Sequence, residues 1–161
     1  GVVLLVTGAA IFWGVLSGGR DVLQPLAGLR LSATTPAEAA QVAHLPFERV
    51  KTVGELDARL KASGGRPVML DFYADWCVSC KEMERFTFGD ARVRARLAGV
   101  TLLQADVTAN GADDKALLQR FGLFGPPGII FFDRQGKEIP GGRVVGYEAP
   151  EKFLQSLDAL R

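Results

Sequence analysis

The sequence predicts an α/β fold, a central mixed sheet flanked by helices, preceded by a transmembrane helix. Three observations carry that prediction. From Leu45 onward, short apolar runs of strand length alternate with amphipathic stretches of helix length. The last part of the alternation changes order, with two strands joined by the turn Arg134-Gln135-Gly136 before a final helix, so parallel and antiparallel pairing meet in one sheet. Gly1 to Gly19 carries no charge, and as a helix rising about 1.5 Å per residue it spans about 28 Å, close to the hydrocarbon thickness of a bilayer.

Each element has its own signal. Within residues 1–19, the glycines at 8, 14, 18 and 19 weaken a water-exposed helix but are common in membrane helices. A signal peptide would need a basic leading region and a nearby cleavage site, and a buried core helix would be shorter. The segment therefore reads as a transmembrane helix, the last span of a longer membrane protein. Residues 20–45 form a linker: Leu23, Leu26, Leu29 and Leu31 suit a membrane surface, Pro25 opposes simple helix continuation, and Ser32 to Ala40 is small and weakly patterned. His44 in this stretch reads as a plain surface residue.

A folded domain is expected over residues 46–161. Phe47 to Lys51 is a short strand. Thr52 and Glu55 have capping-box spacing and open a helix through Leu60 that Gly64-Gly65 ends. Pro67 to Tyr73 is a buried strand with one polar intruder, Asp71. Val78 to about Phe88 is a helix kinked or restarted near Gly89, where Asp90 caps Ala91 to Leu97. Thr101 to Val107 is a strand and Asp113 to Phe121 a helix. Gly128 to Asp133 is a strand, returning near Arg143 to Gly146, and Pro150 sits in the first turn of a helix over Glu151 to Leu160.

Composition removes some functions. At 161 residues with 48% hydrophobic content the chain can fill a core, while a net charge of +1 with scattered basic residues gives no case for nucleic acid. Its two cysteines lie in one motif, which excludes a disulfide-stapled scaffold.

That motif is Trp76-Cys77-Val78-Ser79-Cys80-Lys81. A Cys-x-x-Cys pair after a strand and opening a helix is the sequence form of a thioredoxin-like redox site. A thiol in the first helical turn faces unpaired N–H groups and the positive dipole end, which favour its thiolate. Cys80 lies on the same helix face and can close a disulfide with Cys77. Cys77 should be the exposed nucleophile and Cys80 the more buried resolving thiol. Zinc would need further ligands, and the one histidine is distant. Met69 and Met83 read as core and helix residues. The expectation is no cofactor beyond the redox-active disulfide, and no metal.

The stretch Leu70-Asp-Phe-Tyr-Ala-Asp-Trp-Cys-Val-Ser-Cys-Lys-Glu-Met-Glu84, with Leu102-Leu-Gln-Ala-Asp-Val-Thr-Ala-Asn110 and Phe124-Gly-Pro-Pro-Gly-Ile-Ile-Phe-Phe-Asp133, resembles the C-terminal thioredoxin-like domain of the DsbD family. Those are thiol:disulfide interchange proteins of bacterial inner membranes. The resemblance covers about residues 46–161, and the apolar segment before it fits the last span of the family's membrane domain. It implies a relay in which electrons cross the membrane domain, reach the Cys77/Cys80 dithiol in the periplasm, and pass to other domains of the same parent protein and to thiol/disulfide partner proteins.

The resemblance also assigns residues. Asp71, a lone carboxylate in an apolar strand, is disfavoured there unless paired or functional; it resembles the buried acid beneath the disulfide of thioredoxins, which relays a proton to or from the resolving cysteine. Glu84, four residues after Cys80, matches the family's second acid. Two such carboxylates would oppose the helix dipole and make Cys77 less acidic than its position suggests. Pro127 resembles the cis-proline that faces the dithiol and shapes the substrate groove. Pro126, which has no N–H, departs from relatives whose residue there can donate to a partner's backbone. Gly128 stands where threonine is frequent and is expected to widen the groove. Trp76 is expected to shape the contact surface, and Tyr73 either caps the site or fills the sheet face. Two other classes stay in view: a cytochrome c maturation reductase, which typically carries a proline inside Cys-x-x-Cys that Val78-Ser79 lacks, and a metal chaperone using the cysteines as ligands.

Overall fold

A computed structural model describes residues 45–160. The transmembrane reading of residues 1–19, the linker as far as residue 44 and His44 lie outside the described residues. Among those described, no helix is long and apolar enough to cross a membrane.

Five strands are laid down in the order β1 (Glu48–Val50), β3 (Thr101–Asp106), β2 (Val68–Tyr73), β4 (Gly128–Phe132), β5 (Val144–Val145) across the sheet. The first three are mutually parallel. β4 runs antiparallel to β2, and β5 antiparallel to β4. Every residue of β2 is buried, as expected of a strand covered on both faces. One face carries Val68, Leu70, Phe72, Leu103, Ala105, Ile130 and Phe132, packed under Leu56 and Leu60 of α1 (Val53–Lys61) and Leu117 of α4 (Ala112–Arg120). The other carries Met69, Leu102, Ile129 and Phe131 under α3 (Ala91–Leu97) and α5 (Pro150–Ser156), which contribute Val93, Leu97 and Phe153. Phe153 sits edge-on to Phe88 with ring centroids 5.7 Å apart.

The caps read from sequence operate with one change. Thr52 Oγ1 accepts the Glu55 N–H at 3.1 Å, but the Glu55 carboxylate accepts from the Lys51 N–H, one residue earlier than a capping box requires. Asp90 caps α3 by accepting the Arg92 N–H at 2.8 Å, and Pro150 opens α5. The expected return strand is two residues long rather than four, and the C-terminal helix passes into a 3₁₀ turn at Leu157–Leu160.

The larger difference concerns the helix after the cysteines. α2 (Val78–Glu82) is followed by a π turn over Met83–Thr87, closed by the Phe88 N–H donating to the Met83 carbonyl at 2.8 Å. Both ends of the π turn are tied to one distant residue. The Glu148 N–H points at Met83 Sδ at 3.3 Å, and Thr87 Oγ1 donates to the Glu148 carbonyl. The π turn is thus joined to the loop before α5 through a buried contact some sixty residues along the chain, which local sequence does not announce.

Candidate active site

The C-terminal end of β2 delivers the cysteines. Beyond Tyr73 the chain turns, with the Cys77 N–H donating to the Ala74 carbonyl at 3.0 Å, and Cys77 becomes the N-cap of α2. Its sulfur accepts the Cys80 N–H at 3.1 Å, so a helix-terminal donor that would otherwise lack a partner points at Sγ. Cys77 and Cys80 form a disulfide with Cα atoms 5.3 Å apart. Cys80 Sγ lies 3.9 Å from the Phe72 carbonyl oxygen, the acceptor a thiol at that place would face.

The expected contrast in exposure is not found. Cys77 is 6% exposed and Cys80 4%, so both are buried. The exposure lies in the neighbours: Trp76 is 60% and Val78 70% accessible. Trp76 is held by its Nε1–H donating to the Thr108 carbonyl at 3.2 Å, while Thr108 Oγ1 accepts the Asp75 N–H at 2.9 Å. The loop before the cysteines is therefore fixed to the loop after β3.

The Pro126–Pro127 peptide bond is cis, as the resemblance implies for Pro127. Register places it beside the dithiol, because Gly128 at the start of β4 pairs with Phe72, whose carbonyl faces Cys80. Both prolines are half-buried. The expectation for Gly128 is corrected. It is buried, and a Cβ there would come within 2.8 Å of Leu123 Cδ1, so Leu123 fills the space that glycine leaves and the groove gains no width. Tyr73 fills the sheet, with its ring buried, and its hydroxyl donates to Asp75 at 3.0 Å and accepts from Lys81 Nζ at 3.4 Å. Burial, then the Asp75 contact, push that hydroxyl above its usual range.

Asp71 lies on the opposite sheet face from Leu70 and Phe72, in the middle of β2, and is 5% exposed. Gln104, its register partner on β3, donates Nε2–H to Asp71 Oδ2 at 2.8 Å. Burial raises the carboxyl from 3.8 to about 7; the Gln104 hydrogen bond opposes this, Glu84 adds to it, and Arg49 opposes it. Glu84, in the π turn, does face this acid: with Arg49, Gln104, Leu45, Phe47 and Phe88 it lines a cleft of about 240 Å³. An acid with a midpoint near neutrality, on the strand that leads to the disulfide and facing Glu84 of an open cleft, can take up or give off a proton under working conditions.

Sequence reasoning missed Gln104, Arg49 and Thr108. Gln104 had a signal of the same kind as Asp71, a polar residue inside a buried apolar strand. Arg49 and Thr108 had none, since polar residues are ordinary in a short edge strand and in a loop. Met69 and Met83 are buried in the core, and among the described residues no group of three or more His, Cys, Asp or Glu side chains is placed to hold a metal ion.

Residues 55–161 match the thioredoxin-like domain family. The thiol:disulfide interchange protein DsbD of Ralstonia nicotianae is 64% identical over 160 residues, covering 98% of this chain and 26% of that protein. The C-terminal domain of Neisseria meningitidis DsbD in its oxidised form superposes with a TM-score of 0.56 at 37% identity, covering 67% of this chain and 91% of that one. Fasciola hepatica thioredoxin, 19% identical with a TM-score of 0.55, shares the fold, with 71% of this chain and all of that one covered. The chain spans about a quarter of the full-length relative it matches. Fold, disulfide and relatives agree: the chain belongs to the DsbD family of thiol:disulfide interchange proteins, to its C-terminal thioredoxin-like domain.

Proposed function

We propose that the chain is a protein-disulfide reductase whose Cys77/Cys80 dithiol relays electrons from a membrane domain, ending in residues 1–19, to disulfide partners in the bacterial periplasm, including other domains of its parent protein. The observation that carries the reading is the Cys77–Cys80 disulfide at the opening of α2, reached by the strand that holds the buried carboxyl of Asp71. The family supports the direction of use.

In the reduced chain the Cys77 thiolate attacks one sulfur of the partner's disulfide. That bond breaks as a mixed disulfide forms, and the partner's other sulfur leaves as a thiolate that takes a proton from water. Cys80 then yields its proton to the Asp71 carboxylate and attacks Cys77 Sγ. The Cys77–Cys80 bond forms, the mixed disulfide breaks, and the partner's second sulfur leaves to be protonated. Two electrons pass to the partner, whose first thiolate is protonated from water and whose second can take the proton that Cys80 left on Asp71, and the upstream dithiol of the membrane domain reverses the cycle. Cys77 is the attacking thiol because its sulfur is the one aimed at by the helix-terminal N–H. Trp76, Pro126 and Pro127 form the surface against which a partner's peptide lies, with Pro126 offering it no N–H. Glu84 serves as the second acid.

The test is mixed-disulfide trapping. Cys80→Ser should capture partner proteins on non-reducing gels and Cys77→Ser should not. Equal capture by both variants overturns the assignment, and a reduction potential well above that of glutathione overturns the reductant role.

A further inference from the structure

We propose that Arg49 is a positioning residue for Asp71: it is the counter-charge that balances Glu84 across the cleft beside the acid, a role that rests on the proton-relay reading above. Arg49 of β1 pairs with Gln104 of β3, and Gln104 pairs with Asp71 of β2, so the three side chains stand in one row on one sheet face. Two strand spacings put the ends of that row about 10 Å apart at the backbone. Gln104 closes the near half of the gap with its 2.8 Å hydrogen bond to Asp71.

Arg49 is held where it stands. Asp106 of β3 pairs with its guanidinium, and the guanidinium packs 5.8 Å from the centre of the Tyr73 ring. The other oxygen of Asp106 is taken by the Thr108 N–H at 3.0 Å. Across the cleft, Glu84 comes from the π turn, and Arg49, Gln104 and Glu84 line the same space. Around Asp71 the charged groups are thus Glu84 above and Arg49 along the row. Gln104 is the neutral polar neighbour, Ile129 of β4 is apolar, and the dithiol lies at the end of the strand.

The consequence is chemical. Burial and Glu84 both favour the protonated form of Asp71, and a protonated acid cannot accept the Cys80 proton. Arg49 is the one charged side chain of this group that works the other way. Without it, the ionised form needed for Cys80 activation is less populated at pH 7, and exchange should slow there and recover at higher pH.

The experiment is a carbon-13 carboxyl titration of Asp71 in the full chain, assigned with Asp71→Asn, together with the pH profile of thiol–disulfide exchange. Arg49→Gln should move the Asp71 midpoint upward by less than about 1 unit, below what a single charge gives in direct contact. The exchange profile should move in the same direction, and Arg49→Lys should restore most of both. Asp106→Asn, which removes a negative charge beside the row, should move the midpoint downward. Opposite signs from two substitutions in one ion pair are not produced by loosening alone. An Arg49→Gln titration that overlays wild type, or a shift that Arg49→Lys does not reverse, overturns the proposal. If Asp71→Asn leaves exchange unchanged, the relay reading fails while the Arg49 effect on titration stands as a separate result.

Discussion

Burial of Asp71 ties stability to pH, and the sign is worked out from its raised midpoint. Below about pH 4 the carboxyl is protonated in both folded and unfolded chains, and it contributes no difference. Between 3.8 and about 7 the folded chain keeps a proton that the unfolded chain has lost, so stability falls as pH rises. Above about 7 the full penalty of a buried charge is present, on the order of 4 kcal/mol at about 1.36 kcal/mol per unit. Asp71→Asn, which can still accept from Gln104, should therefore stabilise the chain little at pH 4 and by a few kcal/mol at pH 8. Urea unfolding at the two pH values measures it, and an equal gain at both would refute the raised midpoint. The same substitution should slow exchange near neutral pH. Asp71 was legible because a single carboxylate interrupts Val68-Met69-Leu70 and Phe72. Arg49 was not, because its importance arises only once β1 and β3 are paired.

Helices and strands were legible where local chemistry decides them. β2 and β4 are apolar runs of strand length with both faces covered, and α1, α3 and α5 begin at Thr52, Asp90 and Pro150 for reasons each residue carries itself. The π turn at Met83–Thr87 was not legible, since Glu148 holds it from the far end of the chain. Gly89, just after that turn, marks it in retrospect: a Cβ there would stand 2.5 Å from the Arg85 carbonyl oxygen. Gly89→Ala should destabilise by about 1–3 kcal/mol, because a backbone oxygen cannot swing aside. Gly54 in the first turn of α1 is the contrast, with nothing within 4 Å of its would-be Cβ. Gly54→Ala should stabilise by about 0.4–1 kcal/mol. Chemical denaturation of both variants checks the pair, and equal effects would mean that the close approach at Gly89 is not what glycine is there for.

At the scale of the whole molecule, the sheet with its two covered faces is built from Leu45 onward, and the dithiol's surroundings from residues of β2 onward. Removing residues 1–44 should leave a domain that unfolds cooperatively in urea and reduces a small disulfide at a nearly unchanged rate. Electron delivery from the membrane domain should be lost, since it depends on the high effective concentration a tether provides. Aggregation of the shortened chain, or a non-cooperative transition, would mean that the apolar segment belongs to the core. The mixed character of the sheet was readable from the sequence of strand and helix runs, because a βαβ unit followed by a hairpin joins parallel and antiparallel pairing, whereas the strand order was not. Burial of the dithiol was not readable, since it depends on how the chain packs around Cys77 and Cys80 while their sequence neighbours Trp76 and Val78 stay exposed. That rim has a consequence in electrical terms. The sulfurs are recessed contacts, each less than a tenth exposed, set behind an apolar collar. Current flows only into a socket whose surface fits the collar and brings a disulfide down to the sulfurs. A stray oxidant of the wrong shape finds insulation, so a relay of the kind proposed here would stay charged in an oxidising compartment without short-circuiting.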